Sequence, residues 1–282
     1  MVDREEDAVV DAWLTALETR QMADLTFQEV SRSLRALSST YVERRATLAK
    51  GGAMGGAGKR AAFALFYAPL HYLLVNRIVR ELGRPFTEVQ TILDLGCGTG
   101  AAGAGWARAC PRPARVNGVD RHPWAVEETR RTMSDLGVRG TVRMDDLTRV
   151  PMAGTPAPDR SKSSGNAKGR DNAHASSHDG ASHKGQAVLL AFAVNEIEDA
   201  ASRDGLRGRL LGHAAAGGRV IVVEPLAGFV APWWGSWQRA FEAKGGHAHE
   251  WRFAVKLPAL VEKLDRAAGL NHRELKARTL SF

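Results

Sequence analysis

The chain has 282 residues, 44% hydrophobic and 25% charged, the balance of a globular protein long enough to bury a core without covalent staples. Its two cysteines, Cys97 and Cys110, exclude a disulfide framework and a four-cysteine metal site, and favour a reducing compartment. Lys and Arg number 39 against 31 Asp and Glu, a net +8 that favours anionic partners, nucleic acid first.

That excess is unevenly placed. Residues 1–60 hold nine basic and nine acidic side chains, whereas Lys263–Phe282 holds five against two, a modest basic tail. There is no dense Lys/Arg run, so a solvated basic surface and a nucleic-acid footprint both account for the charge. The opening Met1-Val2-Asp3-Arg4-Glu5-Glu6-Asp7 is polar and acidic, unlike a secretory or mitochondrial leader. No apolar run approaches the roughly 18 to 20 residues of a bilayer span. The expectation is a cytoplasmic protein with no membrane partner.

Residues from about 3 to 48 read as helices. Thr26-x-x-Glu29 has the form of a capping box, and Phe27, Val30, Leu34, Leu37 and Tyr41 then recur on one helical face. Lys50–Arg60 interrupts the pattern with glycines at 51, 52, 55, 56 and 58. A phosphate-cradling loop is excluded there, because its first glycine falls at Ala53, Arg60 replaces the Ser/Thr, and no strand precedes it. The segment reads instead as a hinge or mobile cover. A further helix, Phe63–Leu82, carries the run Phe63, Leu65, Phe66, Tyr67, Leu70, Tyr72 and Leu73.

Beyond Val89 short β-rich runs alternate with helices. Gln90–Leu95, Arg115–Val119, Thr141–Met144, Ala187–Phe192 and Arg219–Val223 are the strands; Ala101–Ala109 and Trp124–Leu136 are the clearest helices. This alternation predicts an α/β fold, a doubly wound and mostly parallel sheet over residues 83–282, preceded by a helical region over residues 1–82. Ala153–Gln186 has no Val, Ile, Leu, Met, Phe, Trp, Tyr or Cys, and is expected to be a disordered insertion carrying solvated His174, His178 and His183. After the fifth strand come Trp233, Trp234, Trp237 and Trp251, four of the seven tryptophans. An aromatic wall for a flat or cationic substrate and a helix packed on the sheet both explain them. His247 and His249 lack a third ligand at supportive spacing, so no metal site is expected. Leu257–Leu270 reads as a late helix and His272–Phe282 as a strand; whether Glu250–Val255 adds another strand stays open.

The most informative stretch is Thr91-Ile92-Leu93-Asp94-Leu95-Gly96-Cys97-Gly98-Thr99-Gly100, an apolar strand running into a glycine turn and then a helix. Gly96-x-Gly98-x-x-Ala101 also satisfies a relaxed dinucleotide fingerprint. Acids, however, recur at the ends of three successive strands, Asp94, Asp120 and Asp146, each pair 26 residues apart. That spacing is one βα unit, so all three line the carboxyl edge of the sheet, where open α/β folds bind ligands. An acid just before the glycines sits poorly beside a pyrophosphate and suits a ligand carrying an ammonium and a sulfonium.

Asp94-x-Gly96-x-Gly98-x-Gly100 resembles the first motif of class I S-adenosylmethionine-dependent methyltransferases, and the resemblance extends over roughly Val89–Val223. It implies a Rossmann-like fold and S-adenosyl-L-methionine as cofactor. Asp94, Gly96, Cys97, Gly98 and Gly100 would then meet its methionine end, Asp120 the ribose hydroxyls, and Asp146 with Leu147 the adenine. Asp145 competes with Asp146, and Trp124 either flanks adenine or belongs to the core. Ala193-Val194-Asn195-Glu196 ends the fourth strand, placing Asn195 to orient an acceptor and Glu196 to take its proton as the candidate catalytic pair. It is not the Asp/Asn-Pro-Pro-aromatic motif of adenine amino-methyltransferases.

Tyr67-Ala68-Pro69-Leu70-His71-Tyr72 and Glu224-Pro225 are similar to ribosomal small-subunit assembly methyltransferase-like proteins, although the cysteine clusters of that family are missing. This second resemblance implies ribosomal RNA or a ribosomal precursor as partner, with a small molecule as the other class of acceptor. Two further functions compete with methyl transfer: a catalytically silent cofactor-binding assembly factor and an NAD-dependent oxidoreductase.

Overall fold

A computed structural model describes residues 2–43, 55–152, 183–226 and 231–282. Helix α1 (Val2–Gln21) buries Val10, Trp13, Leu14 and Leu17, the three- and four-residue steps of one helical face. Helix α2 (Phe27–Glu43) starts at the expected capping box: Glu29 N–H donates to Thr26 Oγ1, and Thr26 N–H donates back to the Glu29 carboxylate. Val30, Leu34 and Leu37 are buried as the periodicity requires, while the Tyr41 side chain lies outside the described residues.

Residues 44–54 also lie outside the description, and with them most of the glycine-rich hinge. Its end is not a loop. Gly56 precedes helix α3 (Ala57–Ala62), which continues through a π-turn (Phe63–Tyr67) into helix α4 (Ala68–Leu82). Pro69 explains the π-turn, because it has no N–H for the Leu65 carbonyl and its ring crowds that carbonyl. The helix widens instead, and the Ala68 N–H reaches back to Phe63 O. The 26-residue stretch Ala57–Leu82 is, by length and composition, apolar enough to cross a bilayer, contrary to the expectation that no run approaches that length. Its apolar window is 72% buried inside the protein, as befits a core helix.

The sheet has the order β3-β2-β1-β4-β5-β7-β6. Strands β1 (Thr91–Leu95), β2 (Arg115–Asp120), β3 (Gly140–Met144), β4 (Gln186–Ala191) and β5 (Arg219–Glu224) run parallel. Strand β7 (Glu274–Ser281) is antiparallel to β5 and to β6 (His247–Ala254), so the open question of the last strand is answered by His247–Ala254. Helices α5 (Ala101–Ala109), α6 (Pro123–Asp135), α7 (Ala200–Ala215), α8 (Trp234–Glu242) and α9 (Ala259–Ala267) connect them.

Strand alternation divides the core in two. Ile92, Val116, Leu189, Ile221 and Val223 face one cluster, which also holds Trp13, Leu34, Phe66, Tyr72 and Trp106. Leu95, Val119, Val188, Leu190, Val220 and Val222 face the other, with Leu206, Trp237 and Phe241. Residues on both sides of the 82/83 boundary therefore share one core.

Two expectations are corrected here and one open alternative is settled. Residues 153–182, with His174 and His178, lie outside the described residues, whereas 183–186, the end of the expected insertion, pack against the sheet. His183 is 2% exposed and stacks on His213 with ring centres 5.3 Å apart, and Gly185 O accepts from the N–H groups of Gln90 and Thr91. Trp233, Trp234 and Trp237 do not form a substrate wall; they are buried against the sheet. Nor is Lys263–Phe282 a free basic tail. Lys263 covers the Phe27 ring, Arg266 pairs with Glu262, Lys276 with Glu274, and Arg278 lies 4.2 Å from the Trp234 ring centre.

Candidate active site

Strand β1 lies between β2 and β4, the place where the strand order reverses and where open α/β sheets leave a crevice at their carboxyl ends. The glycine turn occupies that crevice. Gly96, Gly98 and Gly100 have φ of 72°, 56° and 74°, in the left-handed region. A Cβ on Gly96 would lie 2.6 Å from Ala193 Cβ, and one on Gly100 2.6 Å from Thr129 Cγ2, so neither position admits a side chain. The N–H groups of Gly96 and Cys97 both donate to Val119 O. Thr129 on α6 donates to Gly98 O at 2.9 Å and lies 3.4 Å from Cys97 Sγ. Cys97 is buried and its thiol is pushed up by that burial, which makes it a packing residue rather than a nucleophile.

The three acids have unlike environments. Asp94 is 1% exposed and turned beneath the loop, where Oδ2 accepts the free Gly103 N–H of the first turn of α5 at 3.1 Å. Only a glycine at 103 allows this, since a Cβ there would stand 2.5 Å from Asp94 Oδ2. Asp94 Oδ1 is buried without a hydrogen-bond partner. Burial, and secondarily the charge of Asp120, push its carboxyl up to about 7, against the pull of the Gly103 bond.

Asp120 is half-buried and bridges the turn: Oδ2 accepts from Gly98 N–H at 2.9 Å and Oδ1 from His122 N–H at 2.8 Å. Its remaining lone pairs stay available. Asp146 is exposed, its Oδ1 accepting from both the N–H and hydroxyl of Thr148, contacts that hold the carboxyl below its ordinary range despite partial burial. Asp145 instead accepts the Asp146 N–H and faces Arg143. Leu147 packs beside the glycine turn, 3.2 Å from where a Gly96 Cβ would stand. Trp124 packs partly buried against the first core cluster, with its N–H donating to His122 Nδ1.

At the end of β4 the structure separates the two candidate catalytic residues. The Asn195 amide donates to the buried Glu224 carboxylate and its oxygen accepts from Trp233 Nε1 at 2.9 Å, so it ties the ends of β4 and β5 to α8. Glu196 leans the other way, 3.8 Å from Arg121, with a side chain 44% exposed. Desolvation in the concave edge and the Asp120 charge push its carboxyl up to about 7, opposed by Arg121. Between them and the N-terminal helices stand side chains whose position at this edge sequence reasoning missed. Phe192 stacks on His71 at 4.3 Å, and Phe63 and Tyr67 surround the same imidazole. Thr129 and Gly103 gave no signal either, being ordinary helix residues until the turn is folded against them.

Residues 92–158 match the model of a family described as a methyltransferase domain, a span that runs from β1 past Asp120 and Asp146. That stretch of the chain is similar to a methyltransferase domain. No curated protein sequence matches the chain. Solved structures similar to this chain include the YcgJ protein from Bacillus subtilis, at 12% identity over 75% of this chain and 97% of that one, with a TM-score of 0.42. A mitomycin 7-O-methyltransferase is 14% identical over 96% and 71%, with a TM-score of 0.45. A geranyl diphosphate methyltransferase in complex with S-adenosylmethionine is 12% identical over 80% and 91%, with a TM-score of 0.43. At such identities nothing follows about a shared substrate.

Proposed function

We propose that the protein transfers a methyl group from S-adenosylmethionine to an acceptor, and the observation that carries this reading is Asp120. A carboxylate at the end of β2, pinned by one N–H from the glycine turn and one from its own turn, is pre-oriented to receive a vicinal diol. The rest of the edge fits the cofactor. The left-handed glycines let the turn pack tightly on Ala193 and Thr129 while Gly98 keeps its side toward Phe63 open, we assign Asp146 and Leu147 to the adenine, and the buried Asp94 oxygen is an unused acceptor beneath the amino-acid end. When bound, S-adenosylmethionine supplies a methyl group on a cationic sulfur, which keeps the bonding pair as the acceptor's lone pair takes the carbon.

The chain's own contribution is alignment and a place for the proton. Glu196, with a carboxyl near neutrality in its titration, is the residue we assign to take the acceptor's proton. Asn195, held by Glu224 and Trp233, keeps the turn carrying Glu196 in place. We also propose ribosomal RNA or a ribosomal precursor as the first acceptor to screen, on the strength of the net +8 rather than of a basic tail.

Calorimetric titration of S-adenosylhomocysteine, with NAD as control, tests the cofactor. Binding is expected for S-adenosylhomocysteine alone. Asp120→Ala should weaken it on the order of 100-fold, the worth of two charge-assisted hydrogen bonds. A folded protein that binds NAD and not S-adenosylhomocysteine would overturn the reading in favour of an oxidoreductase.

A further inference from the structure

Two departures from regular backbone meet over the carboxyl edge of the sheet. One is the π-turn Phe63–Tyr67, which Pro69 imposes and which belongs to a form of helix frequent at functional sites. The other is Phe192, the first residue after β4, which holds a φ of 61°. A bulky side chain rarely adopts that left-handed conformation, and it persists only where the surroundings over-determine it. The surroundings here are rings. Phe192 stacks on His71 at 4.3 Å and 22°, with Phe63 edge-on to the same imidazole at 6.0 Å and Tyr67 at 6.3 Å. Among the described residues neither nitrogen of His71 has a hydrogen-bond partner, although two of the rings around it come from an irregular helix that aims them there.

The position of this group relative to the cradle is fixed by two contacts. A Cβ on Gly98 would lie 3.7 Å from the Phe63 ring, so Phe63 roofs the glycine turn. Ala193, next to Phe192, touches the turn at Gly96. Asp120 and Asp146 end β2 and β3 on one side of β1, whereas Phe192 follows β4 on the other. A ligand whose nucleoside is held by the two acids therefore points its far end toward Phe63, His71 and Phe192. The titratable members of the wall are uncharged at ordinary pH: burial lowers His71 to about 4 and raises Tyr67 to about 12.

We infer that the His71–Phe192 stack, roofed by Phe63 and Tyr67, is the acceptor subsite, and that it takes an uncharged planar ring bearing an N–H or O–H group. This rests on the methyltransferase reading above. The neutral imidazole accepts the hydrogen bond from the ring's N–H or O–H, and the aromatic edges of the wall cover its apolar faces. An N–H or O–H ring occurs both in free small molecules and as a base in an RNA strand, so the test has an arm for each.

Saturation-transfer NMR with phenol and indole, and fluorescence anisotropy with a labelled hexa-adenylate, would be run with and without saturating S-adenosylhomocysteine. Benzoate serves as the charged control. Phenol and indole, the hexa-adenylate, or both are expected to bind in preference to benzoate. His71→Phe keeps a ring but removes the acceptor nitrogen, and should weaken binding about tenfold, the value of one hydrogen bond. Phe192→Gly relieves the left-handed strain while removing the stack, and should weaken it at least as much. Both variants should keep their affinity for S-adenosylhomocysteine within about twofold, which also shows them folded. Equal binding to wild type and His71→Phe, benzoate binding as well as phenol, or no probe binding to a protein that does bind S-adenosylhomocysteine would each overturn the inference. Loss of S-adenosylhomocysteine binding by the wild type, with ring binding intact, would instead sink the cofactor reading and leave a ring-binding site.

Discussion

Two carboxyls at the sheet edge have been driven toward neutrality, and each makes a measurable statement. Asp94 ionises near 7 in the folded protein against an ordinary 3.8, so the native state holds its proton more tightly than the unfolded chain does. Its contribution to stability is therefore fullest below about 4 and declines as pH rises through about 7. Asp94→Asn keeps an oxygen for the Gly103 N–H and removes the titration. The melting temperature of this variant should vary less than that of wild type between pH 5 and 8, and should exceed it at pH 8, by scanning fluorimetry. A variant curve that parallels wild type would refute the assignment. Glu196 is raised first by desolvation and then by Asp120. Its carboxyl carbon, followed by NMR, should titrate near 7 in wild type. Asp120→Asn removes a negative neighbour, so that midpoint should fall; a midpoint unmoved by the substitution would show that burial alone sets it.

The C-terminal end of helix α1 is held to α6 by a buried acid. Glu128 on α6 is fully buried and receives Arg20 Nη2 at 3.0 Å and Gln21 Nε2 at 2.9 Å, while Arg20 also reaches Asp135. Without Arg20 the buried Glu128 keeps only Gln21 and the more distant Arg131, at 3.9 Å, as partners, and loss of one member of a buried pair typically costs about 3 kcal/mol. Arg20→Ala should lower the urea midpoint accordingly, and Arg20→Ala with Glu128→Gln should recover much of the loss. If the single variant costs under about 0.5 kcal/mol, the tether is only a surface ion pair of ordinary worth. At the other end of the same helix Glu6 meets Arg108 and Tyr72. Ion pairs at both ends thus fix α1 over the helices that build the site.

Across the whole chain, the helical region and the sheet cannot be parted. Helix α4 crosses α5 so closely that a Cβ on Gly105 would stand 2.6 Å from Tyr72 O, and Asn76 donates to Gly105 O at 3.0 Å. A chain starting at residue 83 would expose the face of α5 that Tyr72, Val75 and Val79 now cover. Such a fragment should aggregate or bind a hydrophobic dye in place of folding, whereas the full chain should do neither. A soluble, cooperatively melting fragment would show that the sheet has a core of its own.

Much of this was readable in the residues. Helices α2, α5 and α6 and all five parallel strands follow from period and punctuation: the Thr26–Glu29 box, the 26-residue spacing of the acids, the glycines between Leu95 and Ala101. These are local signals, written within one or two turns of chain. Residues remote in sequence wrote the rest. The closing strand His247–Ala254 has polar, half-exposed residues and is defined by its partner β7. The tryptophans after β5 are identical as a substrate wall or as core until the sheet they cover exists. Lys263–Phe282 looks like a basic tail until the rings of Phe27 and Trp234 receive Lys263 and Arg278. The five parallel strands, the glycine turn and the acids along the sheet edge are legible in the residues, because hydrophobic period and left-handed glycines are properties of short segments. That Asp94 is buried, that Asn195 and Glu196 point apart, and that His71 meets Phe192 emerged with the packed chain, because burial and contact between separate elements are properties of the whole.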